Sequence, residues 1–150
     1  ATACAASAVD GEYLVDVTSQ ALRDVTLGRP AAYRIADFPL TGEVLRTADP
    51  RAMSFADRDV DSSEAFILRE LNMNALLMLP LRVRGAVWGL VELYEMRLRR
   101  FSEEDLAVAR FLVSQAERRL ELVASGDLPR RRPPVYELPS DGARRGPRTR

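Results

Sequence analysis

The chain has 150 residues, 47% of them hydrophobic and 29% charged, with a formal net charge of zero. That make-up fits one ordinary globular domain with enough apolar content to form a core unaided by metal or disulfides. All 22 basic residues are arginine, histidine and lysine are absent and Cys4 is the single cysteine. These absences exclude a Schiff-base lysine, an imidazole base or metal ligand, histidine-ligated haem and a multi-cysteine zinc site.

The zero net charge conceals a split. Residues 128–150 carry seven arginines against Glu137 and Asp141, whereas residues 1–127 carry fifteen against twenty acids. An acidic body followed by a basic, proline-rich tail is expected, with a domain over 1–126 and a disordered segment over 127–150. No apolar run approaches the roughly 20 residues of a membrane span, and no charged-then-apolar leader opens the sequence. With one cysteine, this points to a reducing cytoplasm.

In chain order, ACAASAV and EYLVDVT read as two strands joined across Asp10-Gly11, a hairpin-type turn. Ser19 to Ala32 suggests a helical turn and then a loop, and Ala31 to Ala36 a short strand. Pro39-Leu40-Thr41 opens a short helix, Thr41 to Thr47, with Val44 and Leu45 inward and Asp49-Pro50 as its stop. Ala52 to Phe55 reads as a strand, followed by the acidic loop ADRDVD. Ser62 or Ser63 is the expected cap of a second helix, which buries Phe66, Ile67 and Leu71.

Ala75 to Tyr94 is the organising stretch. Leu77, Leu79, Leu81 and Val83 share one face of a strand, and Val87, Gly89, Val91 and Leu93 one face of the next. Leu76, Met78 and Pro80, with Trp88, Leu90 and Tyr94, occupy the opposite faces. A strand pair apolar on both sides belongs inside a covered sheet. Its turn, Arg84-Gly85, has glycine available for a positive φ.

Ser102 caps the last helix, with Glu103, Glu104 and Asp105 at its positive end. Leu106, Ala109, Val113, Ala116, Leu120 and Val123 recur at spacings of 3, 4, 3, 4 and 3. Val108, Phe111, Leu112 and Leu122 form a second stripe. One stripe can pack on the sheet while the other meets a second helix, and the first is taken as the dimer seam.

LMLPLRVRGAVWGLVELYE, RRFSEEDLAVARFLVSQAERRL and, less specifically, YRIADFPLTGEVL with SSEAFILREL together resemble the GAF domain, a sensor module. The likeness covers roughly residues 3 to 124. It implies an α+β fold: a central antiparallel sheet of five to six strands, a long C-terminal helix on one face, short helices and loops on the other. It also implies a pocket lid over Met53 to Phe66, with Met53, Phe55 and Phe66 as apolar walls and Asp59 or Glu64 as polar contacts. The helix that usually opens such domains is absent from the sequence.

Several chemistries of that family do not carry over. Phe55-x-x-x-Asp59 echoes part of a cyclic-nucleotide signature, but Val60 follows and the lysine is missing. Cys4 does not match a bilin attachment cysteine, haem-binding members need histidine, and the sulfoxide reductases need several cysteines. The acids of residues 57–70 lack the spacing of a calcium loop. The expectation is therefore a non-enzymatic sensory or regulatory domain binding an unidentified small molecule, without cofactor or metal, and acting through helix-mediated homodimerisation. A ligand-free dimerisation or scaffolding module of the same fold is the alternative. The basic tail alone gives little reason to expect nucleic-acid binding.

Overall fold

The computed structural model describes residues 1–22, 27–28 and 31–123. Six strands, β1 (Ala3–Asp10), β2 (Tyr13–Ala21), β3 (Ala32–Arg34), β4 (Arg51–Ser54), β5 (Ala75–Val83) and β6 (Ala86–Glu95), form one antiparallel sheet in the order β3-β2-β1-β6-β5-β4. Helices α1 (Pro39–Thr47) and α2 (Ser62–Glu70) lie on one face, and α3 (Glu103–Val123) on the other. The α+β architecture expected from the sequence is the one observed, with β5 and β6 in the interior.

Both hairpin turns work as their residues require. Gly11 has φ +61°, and Arg84 and Gly85 have φ of 53° and 78°. Two successive positive φ values are the turn geometry that matches the natural twist of a two-residue hairpin. Pro80 is tolerated within β5 because pairing with β4 ends at Met78, two residues earlier. No β4 neighbour is there to need its missing N–H.

One face differs from simple alternation. The β5–β6 register shifts between Leu81, paired with Gly89, and Arg82, paired with Val87, so Trp88 is the extra residue of a bulge. Strict alternation places Trp88 with Leu90 and Tyr94; instead it packs with Val91 and Leu93 on the α3 side. A bulge reverses side-chain parity, and nothing in the residue pattern marks it except the neighbouring glycine.

The first layer of core comprises Leu14, Tyr33, Phe38, Val44, Leu68, Leu76, Met78, Leu90 and Tyr94, with smaller residues around them. The second joins Leu77, Leu79 and Leu81 to Ala109 and Val113 of α3, with Leu106, Leu120 and Phe101 at its margin. So the expected dimer seam is largely occupied by the protein's own sheet. Of that seam, Ala116 and Val123 remain exposed. Val108, Phe111, Leu112 and Leu122, the other stripe, face solvent, Phe111 at 63% and Leu122 at 75% exposure.

Other expectations shift in detail. Ser19 to Ala21 continues β2 rather than starting a helical turn; residues 23–26, 29–30 and 124–150, which include the tail, lie outside the described residues. Helix α1 starts at Pro39 and ends through Ala48 in the left-handed conformation, φ 57°. The cap of α2 is Asp61, not Ser62 or Ser63: its carboxylate accepts from the amides of Ser63 (2.9 Å) and Glu64 (3.4 Å). That one-step change turns the helix, which buries Glu64, Ala65 and Leu68 and leaves Phe66 and Ile67 half-exposed.

Ser102 and Asp105 cap α3 reciprocally, the Asp105 amide donating to Ser102 Oγ (3.1 Å) and the Ser102 amide to Asp105 Oδ2 (2.8 Å). This is a capping box with aspartate in the usual glutamate position.

The packing of β1 on β6 depends on Gly89. A Cβ there would lie 1.9 Å from the Ser7 carbonyl oxygen and 2.9 Å from its carbon, both backbone atoms that cannot swing aside. Gly89→Ala is therefore expected to destabilise the domain by about 3 kcal/mol, at the upper end of overpacking effects. Urea unfolding of the two proteins measures it, and a loss within error of zero would contradict this account of the β1–β6 contact.

Candidate functional site

Between the sheet and the α1–α2 layer is a small cavity of about 20 Å³ lined by Tyr33, Phe38, Thr41, Glu64, Ile67, Leu76, Glu92 and Tyr94. Four separate stretches contribute. β3 and the 3-10 turn after it (Ile35–Asp37) bring Tyr33 and Phe38 into an edge-on pair, ring centroids 4.7 Å apart. Pro39 begins α1 and delivers Thr41, the first turn of α2 delivers Glu64, and β5 and β6 form the floor.

Two buried carboxylates face this space. Glu92, on β6, accepts from the hydroxyls of Tyr94 (3.0 Å) and Tyr33 (3.3 Å) through Oε1 and from Ser7 Oγ (3.5 Å) through Oε2. Glu64 is 2% exposed. Its Oε1 accepts from the Thr41 amide at 2.9 Å, while no donor reaches Oε2.

The Thr41 bond has a local cause. Helix α1 has no side-chain cap at Phe38, and Pro39 has no N–H, so the Thr41 amide is an orphan donor of the first turn. Glu64 reaches across from α2 to satisfy it.

Burial pushes the Glu64 carboxyl up to about 7, and the Asp61 carboxylate beside it adds to the rise. Asp61 is shifted the other way, below the usual carboxylate range, chiefly by its hydrogen bond with Glu64. The two acids thus divide one proton, held on Glu64.

Of the residues expected around a pocket, only Glu64 lines this cavity. Met53 is buried in the same core layer but away from the cavity lining. Phe55 is half-buried beneath the guanidinium of Arg69, 5.2 Å from its ring centroid. Asp59 is exposed in the loop before α2, and Phe66 is half-exposed on its outer side. The sequence reading missed Tyr33, Phe38, Thr41, Glu92 and Tyr94. The signal that could have found one of them is Glu92: an acid between Leu90 and Tyr94 on an inward strand face is out of place unless partnered.

A broader depression of about 330 Å³ lies between Ala48–Pro50 and α3. It is bridged by the Arg82 amide donating to Glu117 Oε1 (2.7 Å) and Arg82 Nη2 donating to the Ala48 carbonyl (3.0 Å). That makes it a cross-linked seam. Among the described residues no cluster of three or more acids or cysteines could hold a metal ion, and no helix is long and apolar enough to cross a membrane.

A curled six-stranded antiparallel sheet, one long C-terminal helix on one side and a capped polar cavity on the other is a recognisable combination. The sequence model of the GAF domain matches residues 1–120. The chain belongs to the GAF family. Among solved structures, the phycocyanobilin-bound GAF domain from a cyanobacterial phytochrome superposes with a TM-score of 0.68 at 16% identity, covering 80% of this chain and 74% of that one. The GAF domain/HD domain protein from Geobacter sulfurreducens gives 0.66 at 19% identity, over 83% of each chain. The GAF domain of a two-component sensor histidine kinase from Bacillus halodurans gives 0.63 at 16% identity, over 81% and 84%. No curated protein sequence matches the chain.

At these identities the shared property is the fold. Cys4, the one thiol, alternates with buried Ala3 and Ala5 and pairs across with Leu93, on the α3 side of the sheet. It is on the opposite face from the cavity of this GAF domain.

Glu64 dominates the expected pH response. A carboxyl raised in the folded state is protonated there while the unfolded chain has already released its proton. Its contribution is full below about pH 4.5 and is lost as pH rises through about 7. The chain has no histidine to titrate in that window. Wild type is expected to lose on the order of 2–3 kcal/mol between pH 5 and 8 relative to Glu64→Gln. Urea midpoints measured across that range check it; parallel curves for the two proteins would show that Glu64 does not titrate there.

Proposed function

We propose that this chain is a non-enzymatic sensory or regulatory GAF domain that admits a small molecule beside Glu64 and communicates through α3 of a cytoplasmic homodimer. The observation that carries the ligand part is the cavity with a buried carboxylate oxygen that no protein donor satisfies. A domain that served only as packing would be more stable with an apolar side chain there.

The dimer part rests on the exposed stripe Val108, Phe111, Leu112 and Leu122. Each of these forgoes about 1.5 to 3 kcal/mol of burial while it faces water. A second copy covering the stripe recovers much of that, and it leaves the sheet-packed stripe undisturbed. No enzyme reading is favoured: the carboxylates of the cavity have no serine or cysteine nucleophile arranged with a base among the described residues.

The cavity is far below the 300–1,000 Å³ of a pocket for a drug-sized ligand. That favours, as the second reading, a ligand-free dimerisation or scaffolding module. Under the sensor reading, α2 must move outward to admit more than a small group, and that motion is the signal.

Thermal-shift screening against amines, nucleotides, keto acids and amino acids separates the two. A saturable rise in the melting midpoint supports the sensor, by mass action on the folded state; silence across all classes supports the scaffold. Sedimentation tests the interface. Wild type is expected as a dimer at micromolar concentration and Leu112→Glu as a folded monomer, whereas a wild-type monomer at high concentration would remove the dimer from the proposal.

A further inference from the structure

The cavity says something about the chemical class of its occupant. Its described lining contains two carboxylates, Glu64 and Glu92, two phenol rings, a phenylalanine edge-paired with one of them, and no basic side chain. Glu64 Oε2 is an acceptor with no donor, inside a residue that is 2% exposed. Asp61, whose own carboxylate caps α2, stands on its other side. An anionic group placed here would meet like charges in a medium of low dielectric. A neutral donor would satisfy Oε2 but leave any negative charge on Glu64 uncompensated. A cationic donor answers both needs, and the aromatic faces of Tyr33 and Phe38 add to its attraction.

Size narrows the class further. A space of about 20 Å³ accommodates one group of about the dimensions of a water molecule. A primary ammonium head has that size; a guanidinium or a quaternary ammonium does not. The remainder of such a ligand would leave past half-exposed Ile67, the apolar residue of α2 on the cavity wall.

We propose that the Glu64 cavity recognises a small primary amine, with Glu64 Oε2 accepting from its ammonium group and Tyr33 and Phe38 forming the aromatic wall. This rests on the sensor reading above and names its ligand class. On binding, the proton held on Glu64 is released to solvent and the ammonium takes its place, so the charge of the site is conserved. Binding is consequently weaker as pH falls below the range in which Glu64 ionises. The groups facing Glu64 in that titration are Asp61 at the head of α2, the Thr41 amide of α1, Tyr33 of β3, and Glu92 and Tyr94 of β6.

The probe is ethylammonium chloride, applied to the full chain and compared with sodium chloride at equal ionic strength and with ethanol at equal concentration. A saturable rise in the melting midpoint is expected with ethylammonium alone, lost in Glu64→Gln and kept in Glu104→Gln, a substitution on the exposed start of α3. Calorimetry at pH 6.5 in two buffers of different ionisation enthalpy is expected to show net proton release into the buffer in the wild type. That readout stands even if Glu64→Gln folds poorly. An equal rise with sodium chloride or ethanol, an equal rise in Glu64→Gln, binding without proton release, or no response to ethylammonium each overturns the amine assignment. If ethylammonium fails while a keto acid or nucleotide stabilises the protein, the sensor reading survives and only the ligand class falls.

Discussion

A single buried carboxylate, Glu95, holds the corner where β6 leaves the sheet, and the placement of α3 follows from it. The residue is 2% exposed. It accepts from Thr2 Oγ1 (3.0 Å), from the amide, Nε and Nη2 of Arg97, and from Arg99 Nε (3.4 Å). Its ionised form is strongly favoured, with the Arg97 guanidinium the leading cause. A buried charge is tolerable only when paired and hydrogen-bonded on all sides, so this site fixes the path of the chain after β6. Arg99 then passes the constraint on, gripping Asp105 through Nη1 (2.6 Å) and Nη2 (3.3 Å). Asp105 is also half of the α3 capping box. Sheet corner, connector and helix start are one electrostatic unit, and without it the Leu77–Leu81 face would have no fixed cover.

The same connector touches the opposite face. Ser54 Oγ donates to the Arg99 carbonyl (2.8 Å), and Arg100 binds Asp57 Oδ1 (2.7 Å) and the Ala56 carbonyl (2.9 Å). Those residues open the loop that leads to Asp61 and α2. A displacement of α2 by an occupant of the cavity is therefore opposed first by contacts that belong equally to the start of α3. Charged links of this kind are short-range and stiff, and exposed ones such as Arg100–Asp57 contribute little to stability. Their value is geometric. They connect the polar layer of α1 and α2 to the helix whose outer stripe is free for a partner, through a contiguous set of bonds of the kind that energetic coupling requires.

Sequence periodicity was sufficient for the elements and for the interior position of β5 and β6, because runs such as Ala75–Leu81 are apolar at consecutive positions. It was insufficient where one residue of register decides orientation. The bulge at Trp88 reverses its face, and the shift of the α2 cap from Ser62 or Ser63 to Asp61 moves Glu64 inward and Phe66 outward. Both are single-residue events decided by backbone hydrogen bonding across elements, which a linear pattern does not contain. For α3 the spacing identified both stripes correctly. Which one met the sheet depended on the roll of the helix about its axis, and that is fixed by Arg99–Asp105, a contact over six residues through a connector with no periodic signal. The cavity residues come from five elements, and four of the eight, Tyr33, Phe38, Leu76 and Tyr94, look like ordinary core when read singly.

The structural role of Glu64 accounts for only half of its carboxyl group. Oε1 caps α1 at Thr41, a task that glutamine would perform equally well and without a charge to bury. Oε2 has no such task, and a buried polar atom left without a partner costs about 1–3 kcal/mol, a substantial part of the 5–15 kcal/mol that holds a domain folded. Below neutral pH the proton on Glu64 relieves this, since the neutral carboxyl can donate toward Asp61. Above it the two carboxylates confront each other at the edge of an aromatic-walled space. A packing explanation would therefore have to favour the acid over its amide only in mildly acidic conditions. Recognition of a donor favours it where the acid ionises, and that asymmetry is the reason to read the site as one that binds.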